Sequence, residues 1–122
     1  MSGAESRALG RWGEAQAADW LEKRGCVLVA ANWRCRFGEI DLIAEDGDFL
    51  CFVEVKLRKS GAYGGAGEAV DRRKQEKLRV TAQLYLAENP TRLQPRFDVV
   101  EVYAPRGRDT LRPTVRRIEN AF

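Results

Sequence analysis

The fold turns on one stretch, GEIDLIAEDGDFLCFVEVKLR, residues 38–58. Two runs rich in β-branched and aromatic residues flank the turn Glu45-Asp46-Gly47-Asp48, which is the pattern of a β-hairpin. Side chains alternate along a strand, so Leu50, Phe52, Glu54, Lys56 and Arg58 share one face of the second run. Cys51, Val53, Val55 and Leu57 take the other face. Glu39 and Asp41 share a face of the first run. Runs this apolar are suited to burial, yet Asp41, Glu54 and Lys56 sit inside them. Glu54 and Lys56 are neighbours, roughly 6.5–7 Å apart along the strand. If Asp41 faces the same way, two carboxylates converge with an ammonium beside them.

Close carboxylates resist simultaneous ionisation unless a cation lies between them. Hard oxygen donors suit Mg²⁺ or Mn²⁺, with water and a substrate phosphate completing the coordination. The backbone carbonyl of Val55 offers a third protein oxygen. Lys56 would then stabilise charge on an attacking water or on the scissile phosphate, and the chemistry that fits is phosphodiester hydrolysis. A plainer reading stands beside this one. Glu54 and Lys56 could be an ordinary ion pair on a solvated strand face, with Asp41 bracketing the hairpin.

Working outward, residues 4–24 predict a helix that stops at Gly25. Its inward face runs through Gly10, Gly13, Glu14, Ala17, Ala18 and Leu21, small and apolar with one acid in it. Residues 27–33 read as a strand. After the hairpin, KSGAYGGAGEAV reads as a mobile glycine-rich loop around Tyr63. Asp71 is placed to cap a second helix that runs to about Glu88. Leu78, Ala82, Tyr85 and Leu86 form its buried stripe, which extends back to Lys74 and Gln75. Residues 96–103 and 114–118 read as strands. The order α-β-β-β-α-β(-β) gives an α/β domain with a central mixed sheet flanked by helices.

The 122 residues suit one domain with a modest core, and 44% hydrophobic with 32% charged residues is the composition of an ordinary globular protein. No apolar run reaches membrane-spanning length and the first residues lack a signal peptide's apolar stretch, so the expected compartment is the cytoplasm, away from membranes. The chain has no histidine. That excludes Ser-His and Cys-His nucleophile pairs and any imidazole base. Three cysteines, Cys26, Cys35 and Cys51, are too few for a structural zinc site without histidine. Residues 1–61 carry nine basic and ten acidic groups, and residues 62–122 carry twelve basic and eight acidic. The basic second half leans toward a polyanionic partner.

The D-x(12)-E-x-K arrangement on a hairpin that follows an N-terminal helix resembles the PD-(D/E)XK superfamily of restriction-endonuclease-like nucleases. The blocks GRWGEAQAADWLEKRG, NWRCRFGEIDLIA, FVEVKLR, EAVDRRKQEKL and RFDVVEV look like successive blocks of the bacterial YraN family. That family is similar in layout to archaeal Holliday junction resolvases. The resemblance spans residues 10–103. It implies a restriction-endonuclease-like fold and a Mg²⁺- or Mn²⁺-dependent nuclease, but not the biological substrate; the reaction expected from the whole reading is hydrolysis of a DNA phosphodiester, branched junctions included. Asp41, Glu54 and Lys56 match its catalytic triad, with Ile40 where the superfamily name has proline. Glu14 matches the acid on the first helix, and Gln75, preceded by Lys74, matches the polar position opening the second. The residues themselves leave Glu14 open to pairing with Arg11 or Arg34, and Gln75 open to packing at the helix start.

Arg34, Arg36, Arg58, Lys59, Arg72, Arg73 and Lys74 bracket the site in sequence and could track phosphates, or form solvated faces. Tyr63 could stack on an unpaired base or anchor its loop. Glu39, two residues before Asp41, could edge into the cluster, though it reads more simply as a rim charge. Trp12, Trp20 and Trp33 read as packing. A two-fold homodimer would suit a junction or a double-strand cut. The competing functions are a non-catalytic nucleic-acid-binding module and an adaptor that pairs through a sheet edge.

Overall fold

In the computed structural model, which describes residues 3–59 and 70–122, helix α1 spans Gly3–Lys23. It ends where glycine permits. Gly25 adopts φ +90°, its N–H donates to the Glu22 carbonyl, and the Cys26 N–H reaches back to Leu21. This is a Schellman closure, sealed by contact between Leu21 and Cys26 in the core.

Strands β1 (Val27–Cys35), β2 (Gly38–Asp46) and β3 (Phe49–Arg58) follow as an antiparallel meander. The first strand runs two residues beyond the predicted Trp33, because Cys35 still pairs with Gly38 across a two-residue turn. The β2–β3 turn is also shorter than expected. Asp46 pairs with Phe49, leaving Gly47 at φ +57° and Asp48 as its loop.

Helix α2 (Arg72–Glu88) is capped as predicted, with Asp71 accepting from the Lys74 N–H at 2.8 Å. It crosses back to β4 (Gln94–Tyr103), which lies parallel to β3, and β5 (Thr114–Ile118) closes the sheet antiparallel to β4. The sheet order is β1-β2-β3-β4-β5. The architecture is therefore the predicted one, a mixed sheet between two helices. No helix among the described residues is long and apolar enough to cross a membrane. Tyr63 and its glycine-rich stretch lie outside the described residues.

The alternation in β3 sorts the core into two clusters. Cys51 and Val53 pack with Ala17 and Leu21 of α1, while Leu50 and Phe52 pack with Leu78, Ala82 and Tyr85 of α2. Burying a side chain such as Phe52 stabilises by about 2–3 kcal/mol. Trp33 meets Tyr85 edge-on at 5.3 Å between ring centres, and Trp12 and Trp20 pack against the α1 cluster. Gly13 lets α1 approach closely, since a Cβ there would stand 2.9 Å from Leu57. That contact places the next residue, Glu14, over the end of β3.

Candidate functional site

The sheet forks where the polar residues lie. Pairing of β2 with β3 ends at Leu42 and Val53. Beyond it, residues 38–40 pair only with β1, and residues 54–58 only with β4. Strict alternation in β2 also fails here. Ile40 and Ile43 both join the α2-side cluster although they are three residues apart. Asn32, facing this irregularity between the pairs Ala31–Leu42 and Trp33–Ile40, has φ +52°, a region asparagine tolerates better than most residues. The break turns Asp41 toward β3, where its Oδ2 accepts from the Val55 N–H at 2.8 Å. A carboxylate thus stands where a ladder carbonyl would have been.

Four acids face this fork. Glu14, Glu39 and Asp41 each bring a carboxylate oxygen within 4.8 Å of the others. Asn32 bridges two of them, its amide donating to Glu14 at 2.9 Å and to Glu39 at 3.0 Å. Glu54 comes from the other arm. Its side chain is only 7% exposed and lies 3.6 Å from Lys56 Nζ and 3.4 Å from Lys74 Nζ. This burial removes the solvated-face reading of Glu54. The bracketing reading of Asp41 is correct as far as it goes, since the residue does tie the two hairpin arms together.

The electrostatics are uneven. Glu54 has two ammoniums, and Arg34 closes on Glu39 at 2.8 Å from the rim. Among the described residues, Asp41 and Glu14 have no ion-pair partner. Burial first, and then the charge of Glu54, push the Asp41 carboxyl up to about 7; the Val55 N–H opposes the rise, and Glu14 and Glu39 add to it. A divalent cation among them would let all these acids ionise together. The donors are carboxylate oxygens alone, which suits Mg²⁺ or Mn²⁺. Their spread of at most 4.8 Å is close to twice a 2.1–2.4 Å metal–oxygen bond, so the donor set fits such an ion.

The structure therefore gathers Glu14, Asp41, Glu54, Lys56 and Lys74 at one place. Arg34 pairs with Glu39 rather than with Glu14, which excludes the expected Arg34 partner for Glu14. Gln75 donates its amide to the Val70 carbonyl at 2.9 Å and so braces the entry to α2. The Val55 backbone meets Asp41 through its N–H. Arg58 is drawn away from solvent to the buried Glu101, 3.3 Å distant. Arg36 stacks on Phe37, Arg73 lines a cleft beside α2, and Lys59 and Arg72 are exposed.

Two members of the cluster were underrated in the sequence. Glu39 is a member rather than a rim charge, and the signal was its shared face with Asp41. Asn32 gave a weaker sign, as a polar residue inside an otherwise apolar strand.

The model of the family described as "Uncharacterised protein family UPF0102" matches residues 13–102. A UPF0102 protein of Acetivibrio thermocellus is 45% identical over 119 residues, spanning 95% of this chain and 92% of the relative. One from Pelotomaculum thermopropionicum is 44% identical over 117 residues, spanning 95% and 96%. One from Clostridium botulinum is 40% identical over 121 residues, spanning 96% and 95%. The chain belongs to the UPF0102 family.

Proposed function

Taking that membership as the starting point, we propose that this chain is a metal-dependent nuclease that hydrolyses DNA phosphodiester bonds. The observation that carries the reading is the group of three carboxylate oxygens from Glu14, Glu39 and Asp41, with Asp41 and Glu14 left without a cation. Glu54 completes the set from the facing strand. These residues would hold Mg²⁺ or Mn²⁺, which supplies an activated water and neutralises charge at the phosphate.

The protein's own groups do the rest. Lys56 is 27% exposed at the mouth of the fork, where its ammonium can meet the charge that develops on a phosphate oxygen. Lys74 reaches the same carboxylate from the first turn of α2. That turn carries Arg72, Arg73 and Lys74 and no acid, so side-chain charge and the helix dipole both favour an approaching phosphate. The mixed sheet and its α-β-β-β-α-β-β order agree with a restriction-endonuclease-like layout. On the same resemblance, branched DNA is the substrate to try first and a two-fold dimer the assembly to look for.

The test is cleavage of linear, flapped and four-way DNA with Mg²⁺ or Mn²⁺, comparing wild type with Glu54→Gln and Lys56→Ala. Metal-dependent cutting that falls by at least about a hundredfold in both variants is the expected result. Cutting that survives both substitutions would remove the site. Metal-independent binding without cutting would favour the non-catalytic module.

A further inference from the structure

Two clefts meet at the acid cluster, and a third adjoins one of them. The inner one, about 350 Å³, is lined by Phe37, Glu39, Asp41, Lys74, Lys77 and Thr81 among others. Phe37 and Lys77 also line an outer cleft of about 490 Å³, with Arg36, Arg73 and Glu76 on its walls. On the opposite side, Glu39 is shared with a smaller cleft of about 170 Å³, where Arg7, Arg11 and Arg34 surround Glu14 and Asn32. The acids thus occupy the middle of a continuous path whose two ends are basic. A phosphodiester chain complements the two basic ends, and a cation held by the acids between them would let a phosphate lie there as well.

Phe37 is the feature that a purely ionic track does not need. It sits in the β1–β2 turn with 43% of its surface exposed. It has no ring partner among the described residues, and its one stacking neighbour is the Arg36 guanidinium, 4.7 Å from the ring centre. Phe37 and Glu39 line the same inner cleft. A base resting on Phe37 would therefore neighbour the phosphate presented to the acids. Bases within a duplex have both faces covered by their neighbours, so only an unpaired base can use this ring. Arg36 extends the platform as a planar cation.

We propose that the three clefts form one track for a single, unpaired DNA strand, with a base stacked on Phe37 and flanking phosphates held by Arg73 and Lys77 on one side and by Arg11 on the other. The inference rests on the nuclease reading for a cation at the acids, supplied as Ca²⁺ in the experiment, and for which phosphate is cut. The binding itself is separable from cutting.

The experiment is fluorescence anisotropy in Ca²⁺ with a labelled oligothymidylate and a blunt duplex of equal length, for wild type, Phe37→Ala, Phe37→Trp and Arg73→Ala. Phe37 is exposed, and circular dichroism checks that each variant is folded. Wild type should bind the single strand more tightly than the duplex. Phe37→Ala should weaken single-strand binding by at least about fivefold, the lower end of the effect of losing one base–aromatic stack. Phe37→Trp should restore it, and Arg73→Ala should lower both affinity and its salt dependence. Tighter binding of the duplex, no binding of the single strand, or equal single-strand affinity in Phe37→Ala would overturn the proposal. Binding through Phe37 by a protein that cuts nothing in Mg²⁺ or Mn²⁺ would instead leave the track standing and remove the nuclease.

Discussion

On β4, in register with Val53 at the last pair of β2 with β3, Asp98 is wholly buried and saturated with donors. Arg96 donates at 2.9 and 3.0 Å, Arg117 at 2.8 and 3.1 Å, and the Asn120 N–H at 2.9 Å. Burial alone would raise its carboxyl, but these hydrogen bonds outweigh it and hold the group below its ordinary value. At the open end of the hairpin, Asp41 receives one backbone N–H and faces three other acids, and its carboxyl rises to about 7. One sheet thus treats two sequestered aspartates in opposite ways. Where the protein needs a buried charge for its own integrity, it supplies the counter-charge in full. Where it gathers acids without a counter-charge among the described residues, it leaves the carboxyl of Asp41 raised.

The largest expected effect is at Asp98. Asp98→Ala would take the nearest carboxylate from Arg96 and Arg117, whose side chains are 10% and 9% exposed, and leave them Asp46 at 3.3 and 3.0 Å and the exposed Glu119 at 3.7 and 3.6 Å. Breaking a buried pair from one side costs about 3–5 kcal/mol. Urea unfolding should show a loss of that size, and a loss under about 1 kcal/mol would mean that the network is not structural.

Asp41 should respond in the opposite sense. Its folded value is above the unfolded one, so between pH 4 and about 7 the folded state keeps a proton that the unfolded state has released. Without a divalent ion, stability should therefore fall as pH rises through that window. The shift from 3.8 to about 7 sets a ceiling of about 4 kcal/mol, which residual exposure and local relaxation reduce. Asp41→Asn keeps an acceptor for Val55, so it should raise the melting temperature at pH 8 and flatten this slope. Asp98 has the reverse sign, and its contribution is lost only as pH falls below about 4. A variant less stable than wild type at pH 8 would show that Asp41 is part of the scaffold.

Arg58→Ala comes next. It leaves Glu101, which is fully buried, with the Tyr103 hydroxyl at 3.0 Å and Arg116 at 4.0 Å. We expect a loss of about 1–3 kcal/mol in unfolding and no change in DNA affinity. A weakened affinity at unchanged stability would return Arg58 to the binding surface. The smallest effect belongs to Arg34→Ala. Its pair with Glu39 is 67% exposed on the arginine side and should contribute at most about 1 kcal/mol.

The elements themselves were legible because periodicity reports burial directly. Gly25 and Asp71 mark helix ends by backbone chemistry that any sequence shows. The shared face of Glu54 and Lys56 followed from alternation, and the motif added Asp41. The fork was not legible, because it depends on where β2 stops pairing with β3 and on a left-handed Asn32, neither of which is written locally. For the same reason Glu39 looked peripheral. Arg58 illustrates a different limit. Its partner Glu101 lies 43 residues away, so a run of basic residues suggested a phosphate track where packing had claimed one member.

The most direct test is calorimetric titration of Mn²⁺ into wild type and Asp41→Asn at pH 6.5, in two buffers that differ in protonation enthalpy. With Asp41 partly protonated there, ion binding should be saturable and should release protons, and Asp41→Asn should lose both the binding and the release. Absent binding by wild type, or equal binding by Asp41→Asn, would contradict a metal site at the fork.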